Sequence, residues 1–383
     1  MVSPMTEKAL AALKSDHESG AQKLSLKALG FLLEAARSEE LAGIWSSEDY
    51  WKQLRWIAWH LAKNGRPSMG AAIESAILNA LEEIEQRVAM DGSDTVRTCS
   101  LSRLTSVVES VLSSRIHEAG SANLDPIART FTELIISGVE MPNEADQKYA
   151  PPGIDVPAED QPSPRVKITT LSASGTVRAG LLAAIPRLTE QGVGVTITIL
   201  ESRPSFEGAS FVNALLERFQ GDMDILSKLK FEIVSDASVA TAVKDSDFVV
   251  FGGDKVIPNG DVSNKIGTFS LAAMAKIVNS ACKVVALFET SKITGSGFDS
   301  EYLAVEENDP EELINSWPLI LQSDLYMKES LGAQVKVRNE YFEWVPAKFI
   351  DQYITENGIW GVKEIAASAS EKEGREKQLF GDL

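Results

Sequence analysis

From residue 165 onward the chain alternates between two periodicities, and few architectures satisfy that alternation. Short runs rich in β-branched and apolar residues lie at 166–171, 195–200, 231–234, 248–251 and 283–288. Helical stretches at 177–190, 206–220, 238–244 and 268–281 separate them. Strands that alternate with helices pair in parallel, which predicts a mainly parallel sheet over 165–362 with helices on both faces. The first 140 residues carry a single period. Ala, Leu and Ile recur there at three- and four-residue spacing through 5–14, 22–36, 71–84, 101–116 and 125–137, the mark of amphipathic helices. Arg66-Pro67-Ser68 and Asp125-Pro126 read as helix starts, since proline is tolerated in the first turn and disfavoured inside it. The fold class is α/β, with an all-helical domain over 1–140 preceding the sheet.

Two segments fit neither domain. Residues 141–164 are proline-rich and acidic, as in an exposed linker. Residues 363–383 are charged and poor in large apolar groups, which predicts a frayed tail. At 383 residues, two domains are the expected organisation. A hydrophobic content of 44% with 24% charged residues excludes a mainly disordered chain.

The net charge of −18 argues against direct nucleic-acid binding, while leaving room for one basic pocket. No run of about 18 apolar residues predicts a membrane span, and the N-terminal stretch lacks a signal-peptide core. The two cysteines, Cys99 and Cys282, offer neither a disulfide framework nor metal-ligand spacing. They read as small core residues of a reducing compartment, the cytoplasm. His17, His60 and His117 all lie in the helical half, which excludes a Ser–His–Asp hydrolase in the sheet domain. There is no GxxxxGK[ST], no GxGxxG after the first strand and no HExxH. Neither a cofactor nor a metal is expected.

Three strand ends carry unusual chemistry. Ser172, Ser174, Gly175 and Thr176 form a small hydroxyl-rich turn whose N–H groups suit a phosphate at a helix N-terminus; a plain Ser/Thr N-cap is the alternative. Arg203, stiffened by Pro204 in Glu201–Gly208, suits bidentate contact with an anion or a surface ion pair. Gly252–Thr268 places Asp254 after a buried strand as an acid or base, with Asn264 and Lys265 just before a helix; a turn cap and a solvated lysine are the bland equivalents. In a parallel sheet these ends converge on one edge, where ligands bind. In the helical half, Arg66 sits in a tight turn from which it can reach over that edge. Trp45, Trp51, Trp56 and Trp59, at near-helical spacing, read as core or dimer contact.

Together these segments resemble the regulatory (α, β, δ) subunits of eukaryotic translation initiation factor 2B. That family includes the methylthioribose-1-phosphate and ribose-1,5-bisphosphate isomerases. The resemblance rests on Gly253-Asp254, Asn259-Gly260-Asp261 and Asn264-Lys265-Ile266-Gly267-Thr268. Arg203-Pro204 with Gly208, Val234-Ser235-Asp236-Ala237, and Pro346-Ala347 through Asn357-Gly358 follow in the family's order. It covers about 160–360, and the helical half more loosely through Arg66.

The resemblance implies a Rossmann-like sheet domain that binds phosphosugars and forms a dimer. In the family's isomerases a cysteine and an aspartate perform the aldose–ketose conversion. The aspartate falls on Asp254, while the cysteine position holds Ser172. A hydroxyl ionises far above a thiol's value of about 8.5 and is a poor acid or base at neutral pH. The resemblance therefore favours a regulatory-subunit-like protein that binds a sugar phosphate or nucleoside monophosphate without full isomerase activity. Ser174, Gly175, Thr176, Arg203, Asn264, Lys265 and Arg66 would hold phosphate, and Asp254 a sugar hydroxyl. A second copy of the chain and other initiation-factor 2B subunits are the implied partners. The alternative is a phosphoribose isomerase, an intramolecular oxidoreductase, in which Asp254 shuttles the proton and Ser172 orients a hydroxyl.

Overall fold

A computed structural model of the chain describes residues 3–17, 19–90, 95–118, 124–139, 164–295, 306–322 and 336–383. The helical periodicity of the first half produces α1 (Pro4–Lys14), α2 (Ala21–Ala36), α3 (Glu39–Ala42), α4 (Ser47–Asn64), α5 (Gly70–Ala89), α6 (Leu101–Glu118) and α7 (Leu124–Gly138). Starts are set by caps: Ser3 Oγ accepts the Thr6 N–H at 3.3 Å ahead of Pro4, and Ser46 Oγ accepts that of Asp49 at 3.0 Å. Leu13, Leu24, Leu32, Leu54, Leu61, Ile77, Leu81 and Leu112 fill the common core of α1–α6. Of the four tryptophans only Trp51 is part of that core. Trp56 and Trp59 stack half-buried at 5.9 Å, and Trp45 is exposed.

The alternating half forms β1 (Arg165–Leu171), α8 (Gly175–Glu190), β2 (Gly194–Leu200), α9 (Glu207–Phe219), α10 (Met223–Lys228), β3 (Leu229–Val234), α11 (Val239–Val243) and β4 (Phe248–Gly252). Then come β5 (Lys255–Val256), β6 (Val262–Lys265), α12 (Thr268–Val278), β7 (Lys283–Leu287), α13 (Pro310–Asn315), β8 (Phe342–Val345), β9 (Gln352–Thr355), β10 (Gly358–Trp360) and α14 (Val362–Phe380). The seven-stranded sheet runs β10-β9-β7-β4-β1-β2-β3, parallel except for the β10–β9 hairpin. Strand order reverses between β1 and β4, where Ile168 pairs with Phe248 and Thr169 with Val249. That is the switch point at which open α/β sheets leave a crevice beyond their carboxyl ends. Alternate residues feed two cores. Val250, Val285 and Ile168 meet α8 and α9 on one face, and Val249, Phe251 and Val284 meet α11 and α12 on the other.

Between Asp254 and Lys265 the chain forms a hairpin. β5 and β6 pair antiparallel, and β6 continues antiparallel onto β8, with Asn264 opposite Glu343 and Lys265 opposite Phe342. Among the described residues no helix is long and apolar enough to cross a membrane.

α7 forms as the periodicity predicts, but it does not belong to the first core. Ile127, Phe131 and Ile135 bury against Val166, Ile168 and Leu181 beside the sheet. Phe131 reaches α8 because Gly180 has no Cβ, which would sit 2.7 Å from the ring. The proline-rich stretch 141–164 lies outside the described residues except for Pro164. The last segment does not fray. α14 runs back onto the helical layer, buries Leu379 and Phe380 in its core, and pairs Arg55 with Asp382. Its grip is ionic as much as apolar. Lys372 Nζ, buried, donates to Ala71 O at 2.8 Å and Ile293 O at 2.9 Å and lies 3.0 Å from Glu74 Oε2.

Candidate functional site

Beyond the carboxyl ends of β1 and β4 lies a cavity of about 850 Å³, walled on one side by the sheet domain and on the other by α2 and the turn before α5. Ser172, Ser174, Gly175, Thr176, Asp254, Asn264, Lys265 and Arg66 all line it. Seven of them come from the strand ends, as the alternation predicts, and Arg66 reaches the cavity from the helical half.

α8 opens on the cavity. Ser174 is its N-cap, its Oγ accepting the Val177 N–H at 3.5 Å and bonding Thr176 Oγ1 at 2.8 Å. The Thr176 hydroxyl donates to Leu287 O at 3.0 Å, so it ties the helix to β7 rather than facing a ligand. The remaining N–H groups of the first turn lack partners within the helix and carry the positive end of its dipole.

Asp254 leaves the end of β4 with its N–H on Ser263 O at 2.8 Å. Desolvation pushes its carboxyl above the usual range; the Glu207 charge adds to this, while Lys292, Arg66 and Lys265 oppose it. Lys292 Nζ stands 3.7 Å from Asp254 Oδ1. Because the folded state holds this proton more tightly than the unfolded chain, stability falls as pH rises from the ordinary aspartate value through the raised one. Asp254→Asn is therefore expected to raise Tm at pH 7 and to leave it unchanged at a pH below the ordinary value. Each kcal/mol regained corresponds to roughly 2–4 °C in a domain of this size, and paired thermal melts at the two pH values check it.

Lys265 is buried, with Nζ 3.2 Å from Glu207 Oε1 and 4.4 Å from the centre of the Tyr341 ring. Asn264 donates to Thr268 Oγ1 at 3.0 Å, bracing the strand that carries Lys265. Arg66 is only 2% exposed and already engaged: it donates to Glu306 Oε1 at 3.1 and 2.9 Å and to Asp16 O at 2.8 Å. It forms wall rather than a free clamp.

Arg203 stays outside. Its side chain pairs with Glu201 at 3.1 Å and lies over Phe206, while the backbone N–H groups of Ser202 and Arg203 are held by Asp236 at 2.8 Å each. What its segment delivers to the cavity is Pro204, Ser205 and Glu207, the last of them charged. Glu207 Oε2 accepts the Ser172 hydroxyl at 2.7 Å, and Oε1 accepts Lys265. The first turn of α9 can lie this close to β2 only because Gly208 has no Cβ, which would sit 2.0 Å from Leu200 O. Ser172, Ser202 and Phe206 all adopt left-handed φ values of 59°, 61° and 53°. Such conformations cost about 1 kcal/mol or more each and gather at functional sites.

Two residues that sequence reasoning passed over, Glu207 and Lys292, thus complete the constellation. Glu207 sat unremarked inside the Arg-Pro segment; Lys292 follows β7 at the same sheet edge, where the strand-end rule also applied. The arrangement offers a helix N-terminus and the ammonium groups of Lys265 and Lys292 for an anion, and four carboxylates, Glu207, Asp254, Glu289 and Glu312, for hydroxyls or protons.

Over 171 residues the chain is 32% identical to methylthioribose-1-phosphate isomerase of Parabacteroides distasonis, covering 45% of this chain and 46% of that protein. Over 177 residues it is 31% identical to ribose 1,5-bisphosphate isomerase of Archaeoglobus fulgidus, covering 46% and 49%. The chain spans about half the length of these curated relatives. Its fold is similar to that in the tetrameric eIF2B-beta2-delta2 complex from C. thermophilum, with TM-score 0.62 at 14% identity over 96% of this chain and 94% of that one. At that identity the likeness shows the fold alone. The Initiation factor 2 subunit family matches residues 17–362, a span that holds both walls of the cavity, and the chain belongs to that family.

Proposed function

We propose that the cavity binds a phosphorylated ribose, as a sugar phosphate or a nucleoside monophosphate, with the phosphate at the N-terminus of α8 and Asp254 on a sugar hydroxyl. The observation that carries this reading is the open first turn of α8 in one cavity with buried Lys265 and with Lys292 and Asp254. An N-terminal helix turn and ammonium groups favour a dianion, and the carboxylates favour a polyhydroxylated body. The names of the relatives, both isomerases of phosphorylated riboses, support the same ligand class. The Ser172 hydroxyl replaces the family's thiol and already donates to Glu207. Thiol chemistry is therefore absent at that position, and binding is the primary function in this reading.

A second reading, aldose–ketose isomerisation of the same ligand, is favoured by one observation. Among the carboxylates that line the cavity with Asp254, Glu207 is the one that accepts the hydroxyl of Ser172, at the position where the family's isomerases carry their thiol. Assembly with a second copy or with initiation-factor 2B subunits, in the cytoplasm, belongs to the same proposal; size-exclusion chromatography with light scattering and co-purification test it. For the ligand, titration calorimetry with ribose 1,5-bisphosphate, methylthioribose 1-phosphate and AMP is expected to give saturable binding by at least one. Unphosphorylated ribose is expected to bind more weakly by about 10-fold or more, the value of one charge-assisted contact. No heat with any of the three phosphates would sink the reading.

A further inference from the structure

Converting an aldose 1-phosphate to a ketose requires two proton carriers. A base removes the C2 proton; the C–H electron pair becomes the C1=C2 double bond while the C1–O4 bond breaks and O4 takes a proton. The O2–H pair then collapses to a carbonyl and C1 takes a proton, so the product is an isomer with no net gain or loss. Asp254 is one candidate carrier. Ser172 is not the other, since its hydroxyl proton is far too weakly acidic and is already directed at a carboxylate.

We infer that Glu207 takes the place of the missing thiol as the base that removes the C2 proton, with Asp254 as the acid at O4; the inference rests on the second reading above, isomerisation of a phosphorylated ribose. Glu207 lines the cavity with its side chain 33% exposed, so a bound sugar can reach it. Lys265 at 3.2 Å and the Ser172 hydroxyl at 2.7 Å each occupy one oxygen, leaving lone pairs free on both. Asp254 lies in the same cavity, where burial and the Glu207 charge favour its protonated form. The geometry is also fixed in advance. Gly208 seats the first turn of α9 against β2, and the side chain is held from two sides.

The test measures binding and ketose formation separately on the full chain, by calorimetry and by NMR, with both phosphorylated riboses named above. The wild type is expected to convert one of them. Glu207→Gln keeps the shape and is expected to lower turnover by about 10²–10⁴-fold, the usual contribution of a positioned base, while still binding. Glu207→Ala is expected to regain turnover when formate is added, which a merely structural role would not allow. Turnover in Glu207→Gln within about threefold of wild type, or no formate rescue of an inactive but folded Glu207→Ala, overturns the assignment. Binding without turnover in the wild type also overturns it and leaves the ligand reading standing. Absence of binding overturns both.

Discussion

Replacing Glu74 with alanine is expected to destabilise the protein by about 3–5 kcal/mol, the usual cost of leaving a buried charge without its partner. Glu74 lies on α5 with its side chain 7% exposed, between Lys63 and Lys372. Burial pushes its carboxyl up, and the ammonium groups of Lys372 and Lys63 outweigh that, holding it below the usual carboxylate range. Lys372 in turn joins α5, α14 and the segment after β7 through Ala71 O and Ile293 O. Removing the carboxylate therefore strands an ammonium at the junction of the helical layer and the sheet domain. Urea melts of Glu74→Ala and of the double variant Glu74→Met/Lys372→Met separate two explanations. The double variant is expected to recover most of the loss, since an apolar pair of similar volume often matches a buried ion pair. A loss below about 1 kcal/mol in the single variant, the scale of an exposed pair, would show that the junction contributes little. Acid should have the same effect as the alanine. With its folded value depressed, the Glu74 contribution is complete above the ordinary glutamate range and is lost as pH falls through the folded value.

The second large effect concerns the ligand. Lys265→Met is expected to weaken binding of a phosphorylated ribose by about 10- to 150-fold, from the 1.5–3 kcal/mol of a charge-assisted hydrogen bond. Its ammonium group is buried between Glu207 and the Tyr341 ring, so methionine keeps the stem's contacts and removes only the charge. Calorimetry on the variant checks the prediction, with unphosphorylated ribose as the control. An equal loss for both sugars would place Lys265 beside the hydroxyls instead of the phosphate.

How much of this was legible beforehand follows from what each signal encodes. Alternating β and helical runs define parallel pairing, and parallel pairing gathers strand ends; so Ser172, Ser174, Asp254 and Lys265 were found together although about 90 residues separate the first from the last. The direction of a side chain is not encoded that way. Arg203 and Glu207 share a loop, and which of them enters the cavity depends on Asp236 gripping the backbone and on Gly208 meeting β2. Periodicity likewise showed that α7 is a helix without showing which core its apolar face joins. α14 was hidden for a different reason. Much of its attachment comes from Lys372 with Glu74, Arg375 with Glu82, and Asp382 with Arg55, and charged residues look solvated until their partners are known. β8 is only four residues long, and its role as the outer strand beside Lys265 exists only in pairing with β6.

The return of α14 to the helical layer has a consequence for synthesis on the ribosome. Chains generally fold domain by domain as they emerge, the N-terminal domain first. Here the core of α1–α6 lacks Leu379 and Phe380, and Arg55 lacks Asp382, until the whole sheet domain that lies between them in sequence has been made. The helical layer must wait for a segment made after the sheet. Its helices therefore spend the synthesis of the sheet with an apolar seam uncovered.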